Sequence, residues 1–194
     1  HIMHPPFEAL GLGDPIDVEA SVGQVYVDDF LLNDFDGTCP PSSVVRFTFP
    51  VRGGQPSVKL IWYDGGMMPP RPEEMTDDDT FASSGGVIME GSRGKILCDT
   101  YAANPRLLPI QLNDYINIEP SLPRIEGSHQ LNWIEACMEG AKATSDFSIA
   151  GPLTETVLMG NLAIRSHEYK ELKPGRKRGD WDPYSFPGRK VLKW

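Results

Sequence analysis

The sequence predicts an α+β fold: an open, mostly antiparallel β-sheet covered on one face by helices. Three observations point there. Segments alternating apolar and polar residues occupy the first half of the chain, segments with helical spacing come only after residue 128, and nothing alternates in the βαβα manner that builds a parallel sheet. The 194 residues, 40% hydrophobic with 19 Gly and 18 Pro, suffice for one well-buried domain rich in turns, or a domain with a tail.

Pro5-Pro6, then Phe7 to Leu10 and Gly11-Leu12-Gly13, predict a short helix with prolines in its first turn and a glycine end. From Ile16 to Val27, Ile16, Val18, Ala20 and Val22 alternate with Asp17, Glu19 and Ser21, the period of a strand with one face on a core. Residues 28–41 (DDFLLNDFDGTCPP) are dense in turn formers and read as a loop. SSVVRFTFPVR and SVKLIWYD are strands on either side of Gly53-Gly54-Gln55-Pro56, and should pair as a hairpin.

Residues 65–80 (GGMMPPRPEEMTDDDT) combine prolines with a self-repelling acidic run, which predicts an exposed loop. Met67, Met68 and Met75 within it suit interface filling better than metal ligation. GVIMEGSRGKILCD predicts two strands turning at Gly91-Ser92-Arg93-Gly94, and a further short strand is expected near Gln111 to Asn117. Ser128 caps an amphipathic helix ending at Gly140, with Leu131, Ile134 and Met138 in register. A second helix is expected from Pro152 to about Ser166, with Leu153, Val157, Gly160 and Ile164 on one face and enough apolar girth to be buried.

Charge divides the chain into residues 1–172 and a tail, 173–194. Seven basic side chains against Asp180 and Asp182 give the tail +5, and the preceding residues carry −14 of the overall −9. The tail, with its WDPYSFPG aromatics, is expected to dock on an acidic surface of its own body or of a neighbouring subunit. An acidic chain has no general attraction to phosphate backbones, so no nucleic-acid partner is expected, and no run is long enough to span a membrane. Cys39, Cys98 and Cys137 lack metal or disulfide spacing and read as buried reduced thiols. No metal cluster and no nucleophile elbow appears.

Four strings stand in order: LIWYDGGMMPPRP at 60–72, YAANPRLLP at 101–109, SHQLNWIEAC at 128–137 and GPLTETVLMGNLAIR at 151–165. Together they resemble the C-terminal domain of the Gfo/Idh/MocA (glucose-fructose oxidoreductase and myo-inositol dehydrogenase) family, above all its bacterial branch. The resemblance implies a substrate-binding and oligomerisation domain of an NAD(P)-dependent oxidoreductase acting on a sugar, polyol or derivative. It implies a homo-oligomer formed through the open sheet face. No G-x-G-x-x-G opens a βαβ unit here, so NAD or NADP is expected on a Rossmann domain outside these residues, with no cofactor on the fragment and no activity of its own.

The family's catalytic stretch resembles D-x-G-x-H, and His1-Ile2-Met3-His4-Pro5-Pro6 matches the segment running on from its histidine, which makes His1 the expected proton-transfer residue and places a chain break there. Glycoside hydrolysis through transient oxidation uses the same base and nicotinamide, and a non-enzymatic sheet-mediated assembly module is a further alternative. Trp62, Tyr63 and Asp64, at a strand end, suit a carbohydrate through stacking and paired hydroxyl bonds, or else form a packed strand end with an Asx turn. Arg106 is either a substrate clamp or an ion-pair partner, and His129 either a substrate contact or part of the helix cap. His167 reads as a solvated cation at a helix C-terminus. The compartment is not legible, because a leader would lie upstream.

Overall fold

The computed structural model describes residues 1–29, 31–122 and 124–194. In chain order the elements are α1 (His4–Ala9), β1 (Asp17–Val22), β2 (Tyr26–Asp28), β3 (Leu31–Leu32), β4 (Ser43–Phe49), β5 (Val58–Tyr63), β6 (Gly86–Gly91), β7 (Gly94–Asp99) and β8 (Arg106–Leu108). Next come a 3-10 helix (Ile110–Tyr115), α2 (His129–Glu139), α3 (Phe147–Glu168), β9 (Glu171–Leu172), β10 (Tyr184–Ser185) and β11 (Leu192–Lys193). The fold is α+β with open, antiparallel sheets. Instead of one sheet, the described residues form four, in two compact units: His1–Leu12 with Arg71–Leu153, and Gly13–Pro70 with Thr154–Trp194.

In the first unit β6, β7 and β8 form a meander, with β6 and β7 joined through Ser92 and Arg93 because Gly91 pairs with Gly94. Leu97 and Leu108 meet Met75 in its core, with Phe81 and Ile88 packed against them. Met75 is therefore internal rather than interface filling, whereas Met67 and Met68 are exposed in the second unit. The acidic loop has no regular structure, but Lys95 holds Glu74 at 2.6 Å and Arg71 donates to the carbonyls of Thr76 and Asp79.

The strand expected near Gln111 to Asn117 is the 3-10 helix instead. The Asn113 side chain satisfies the outer edge of β8 that a further strand would have covered, accepting from Leu107 N at 2.8 Å and donating to Leu107 O at 3.0 Å. The cap of α2 is as expected: Ser128 Oγ accepts from Leu131 N at 3.2 Å, and Gly140 ends the helix with φ +71°. Yet α2 buries none of its residues.

The second unit holds the four-stranded sheet β11-β1-β4-β5 and two ribbons, β2 with β3 and β9 with β10. Register places Val18 beside Phe47 and Phe47 beside Leu60, so one face is apolar. Against it lie Thr156, Met159, Gly160 and Ala163 of α3, all buried and spaced as one helical stripe. This differs from the expected face, and Val157, Leu158 and Leu162 are exposed. The reason is steric: small residues let the helix approach, and a Cβ at Gly160 would stand 2.9 Å from Phe47 Cζ.

The helix also begins earlier than Pro152, because Asp146 caps it. Its Oδ1 accepts from Ser148 N at 2.8 Å and its carbonyl from Ala150 N at 2.9 Å. Pro152 sits inside, forfeiting one bond to the Ser148 carbonyl. The single strand expected from Ile16 to Val27 is two strands, interrupted at Gly23. There the chain runs so close to Ser42 that a Cβ would meet its Oγ at 2.3 Å, and beyond that point it leaves the sheet. The loop expected at 28–41 accordingly contributes β3.

Within this unit, residues 173–194 supply β10 and β11: Lys193 pairs with Asp17 in register and by a 3.0 Å ion pair, and Trp194 N donates to Ile16 O at 3.0 Å. Only Cys98 is buried; Cys39 and Cys137 are exposed, since the loop around Cys39 and the whole of α2 lack cover.

Gly160→Val should lower stability by about 1–3 kcal/mol, since Phe47 is enclosed and the ring cannot move aside. Urea unfolding checks this. A midpoint equal to that of the wild type would mean that α3 does not lie on the sheet as described.

Candidate functional site

The first unit contains one place where backbone and chemistry coincide. Between β7 and β8, Tyr101, Ala102 and Asn104 take φ of +62°, +57° and +49°. For residues with a Cβ this costs of order 1–3 kcal/mol each, and such strain collects where structure serves a site. The His1 ring lies 4.8 Å from that of Tyr101, tilted at 53°, and both side chains are exposed.

One carboxylate holds the turn. Asp99 Oδ2 accepts from Asn104 Nδ2 at 2.8 Å and Oδ1 from Arg106 Nη1 at 3.2 Å, while Asp99 N donates to Ala103 O at 2.8 Å. The Asn104 amide first, and Arg106 after it, hold the Asp99 carboxyl below its ordinary value. Thr100 Oγ1 ties the turn to the start of β6 by donating to Ser84 O at 2.8 Å. Arg106 Nη1 also donates to Asn104 O at 2.9 Å, so Arg106 is an ion-pair partner in this structure. Both bonds use Nη1; among the described residues, Nη2 and Nε donate to no protein acceptor.

The structure thus gathers His1 and Arg106 around the 99–106 turn. His129 belongs to the same unit, exposed at the first position of α2. Trp62, Tyr63 and Asp64 belong to the second unit, where Asp64 makes strand-end bonds. It accepts from Ser43 N at 2.6 Å, Ser43 Oγ at 2.8 Å and Trp62 Nε1 at 3.0 Å, which fastens β4 to β5. Asp99, Tyr101 and Asn104 were not singled out from the sequence. The available signal was Asn104-Pro105, since asparagine tolerates the left-handed region better than most residues.

In the second unit a cavity of about 370 Å³ is lined by Asp34, Asp36, Glu168, Lys170, Arg178 and Tyr184, among others. Lys170 bonds Asp34 at 2.8 Å and lies 5.3 Å from the Tyr184 ring centroid. Burial, then Asp34 and Asp36, push the Glu168 carboxyl up, whereas the Lys170 bond draws Asp34 down. His167 beside it is not a solvated cation. Burial, reinforced by Arg189, lowers its pKa and favours the neutral ring. Among the described residues no cluster could hold a metal ion, and no helix is long and apolar enough to cross a membrane.

Asn104→Gly, which keeps φ unstrained but deletes the amide, should raise the Asp99 titration midpoint toward the ordinary value near 3.8. Because the folded value is depressed, the carboxylate's contribution to the turn is complete above that value and is lost as pH falls through the folded midpoint. Carboxyl-detected NMR titration reads it, and an unmoved midpoint would remove Asn104 from the account.

No protein-family model, no curated protein and no solved structure matches this chain.

Proposed function

We propose that this chain is the substrate-binding and oligomerisation part of an NAD(P)-dependent oxidoreductase acting on a sugar, a polyol or a derivative. The observation that carries the reading is the strained 101–104 turn, pinned by Asp99 and placed against the ring of His1. The four ordered sequence strings support it, and the second of them contains this turn.

The residues described do not fit a dinucleotide. No G-x-G-x-x-G follows a strand and opens a helix, so the chemistry available here is confined to the substrate side. Imidazole is the side chain that exchanges a proton between pH 5 and 8, so His1 accepts the proton of a substrate hydroxyl. The Tyr101 face offers a wall for the C–H surface of a sugar ring. The remaining donors of Arg106 point recognition toward hydroxyl or carboxylate oxygens. With Asp99 neutralising one edge of the guanidinium, Arg106 acts more as a hydroxyl donor than as a bare charge.

Titrating the chain with a panel of monosaccharides, polyols and sugar acids, monitored by NMR, tests the reading. The expected result is a shared, saturable shift of His1, Tyr101 and Arg106 resonances with at least one class, weakened tenfold or more by Arg106→Gln. Panel-wide silence at these three residues, with the turn intact, would overturn it.

A further inference from the structure

Asp99 and Arg106 hold each other in one geometry and leave unlike bonding capacity side by side. Their side chains are 21% and 24% exposed, so the 3.2 Å pair is partly withdrawn from water but keeps an open edge. Nη1 of Arg106 carries two hydrogens, and both are committed, one to Asp99 Oδ1 and one to Asn104 O at 2.9 Å. An end-on fork of Nη1 and Nη2 around a ligand carboxylate is therefore closed, and Nε and Nη2 remain as donors. Across the pair, Asp99 Oδ2 accepts from Asn104 Nδ2 at 2.8 Å and Oδ1 from Arg106, one side-chain bond each among the described residues. A carboxylate oxygen has room for two.

A donor edge and an acceptor edge in contact choose their ligand by its bonding. A hydroxyl both donates and accepts, so two hydroxyls on adjacent carbons take a bond from Arg106 and give one to Asp99. A carboxylate only accepts, and on Arg106 it would stand beside the like charge of Asp99. An ammonium only donates, and on Asp99 it would stand beside the guanidinium.

The surrounding charge favours the same class. Asp79 accepts from Thr76 N at 2.7 Å and from Thr76 Oγ1 at 3.0 Å; these bonds first, then Arg71 and Arg106, hold its carboxyl below the ordinary value. Arg106 thus answers to two acids, Asp99 in contact and Asp79 at longer range, and Arg71 offsets one of them. The two cations and two anions cancel, which leaves no excess charge to draw an ion into the turn. The Tyr101 ring, 70% exposed, is open to the C–H face of a sugar.

We propose that Asp99 and Arg106 together read a pair of neighbouring hydroxyls, so that the ligand of this site is an uncharged sugar or polyol and Asp99 is the residue that rejects sugar acids. The proposal rests on the substrate half of the proposed function and narrows it to one class. Arg106 rejects amino sugars in the same way.

Ring-matched probes test it on the full chain near pH 7: glucose, glucuronate and glucosamine, then galactose, galacturonate and galactosamine, followed by NMR at Tyr101 and Arg106. The expected result is that the uncharged member of a set binds at least tenfold more tightly than its acid and its amine, with an affinity that about 0.05 and 0.5 M salt leave unchanged. Asp99→Asn should weaken the uncharged sugar and reduce its preference over the acid tenfold or more, with the Tyr101–His1 ring contact reporting whether the turn persists. An acid or amine that binds the wild-type chain as tightly as its uncharged partner would overturn the proposal while leaving the substrate reading in place, and that comparison needs no variant. An unchanged ratio in an intact Asp99→Asn turn would overturn the role of Asp99. Silence of the turn toward every probe would overturn the substrate reading itself, and the proposal with it.

Discussion

The carboxylate of Asp99 is the constraint on which the chemistry of the first unit depends. Each of its oxygens is engaged, one by Asn104 and one by Arg106, and its own backbone donor closes the turn on Ala103. Three side-chain-bearing residues are thereby kept in the left-handed region, a conformation that a free chain would leave. The same bonds aim Arg106 as it enters β8 and bring the Tyr101 ring to His1. Without Asp99, the turn, the guanidinium and the Tyr101 ring would each be free to move independently.

The second unit obeys a different logic, in which close approach replaces side-chain bonding. Gly160 and Ala163 bring α3 onto the sheet at Phe47, and Gly188 is pressed against Ser166 so tightly that a Cβ would fall 1.9 Å from its carbonyl oxygen. That second approach fixes the last segment of chain beside the end of α3 and delivers β11 to the edge of β1. The +5 charge of the tail is thus divided: Lys193 and Lys173 are neutralised locally, Arg178 lines the cavity with Asp34, Asp36 and Glu168, and Arg176 and Lys177 are exposed.

Local signals in the sequence were readable where local physics decides. Ser128 and Gly140 bound α2 because capping is a matter of three or four residues, and the 86–99 hairpin comes from alternation around a two-residue turn. Elements decided by distant partners were not readable. Gly23 interrupts a strand because of Ser42, Asn113 replaces a strand by bonding Leu107, and α3 turns Thr156 rather than Val157 inward because Phe47 lies opposite Gly160. His1 enters through the family resemblance and Arg106 through its donor fork, whereas Asp99, which bonds Asn104 and Arg106, reads in sequence as an ordinary strand-end acid. Cys39 and Cys137 are exposed where the sequence predicts burial, because burial of a thiol depends on cover that composition does not reveal.

The central claim is that a strained turn at residues 101–104 stands beside His1 as a built feature of the free chain. Solution NMR addresses it directly, through amide–Hα couplings and chemical shifts at Tyr101, Ala102 and Asn104 together with ring-to-ring Overhauser contacts from Tyr101 to His1. The account requires left-handed values at all three residues and a cross-peak between the two rings near neutral pH. Averaged, coil-like values at 101–104 with no His1 contact would contradict it.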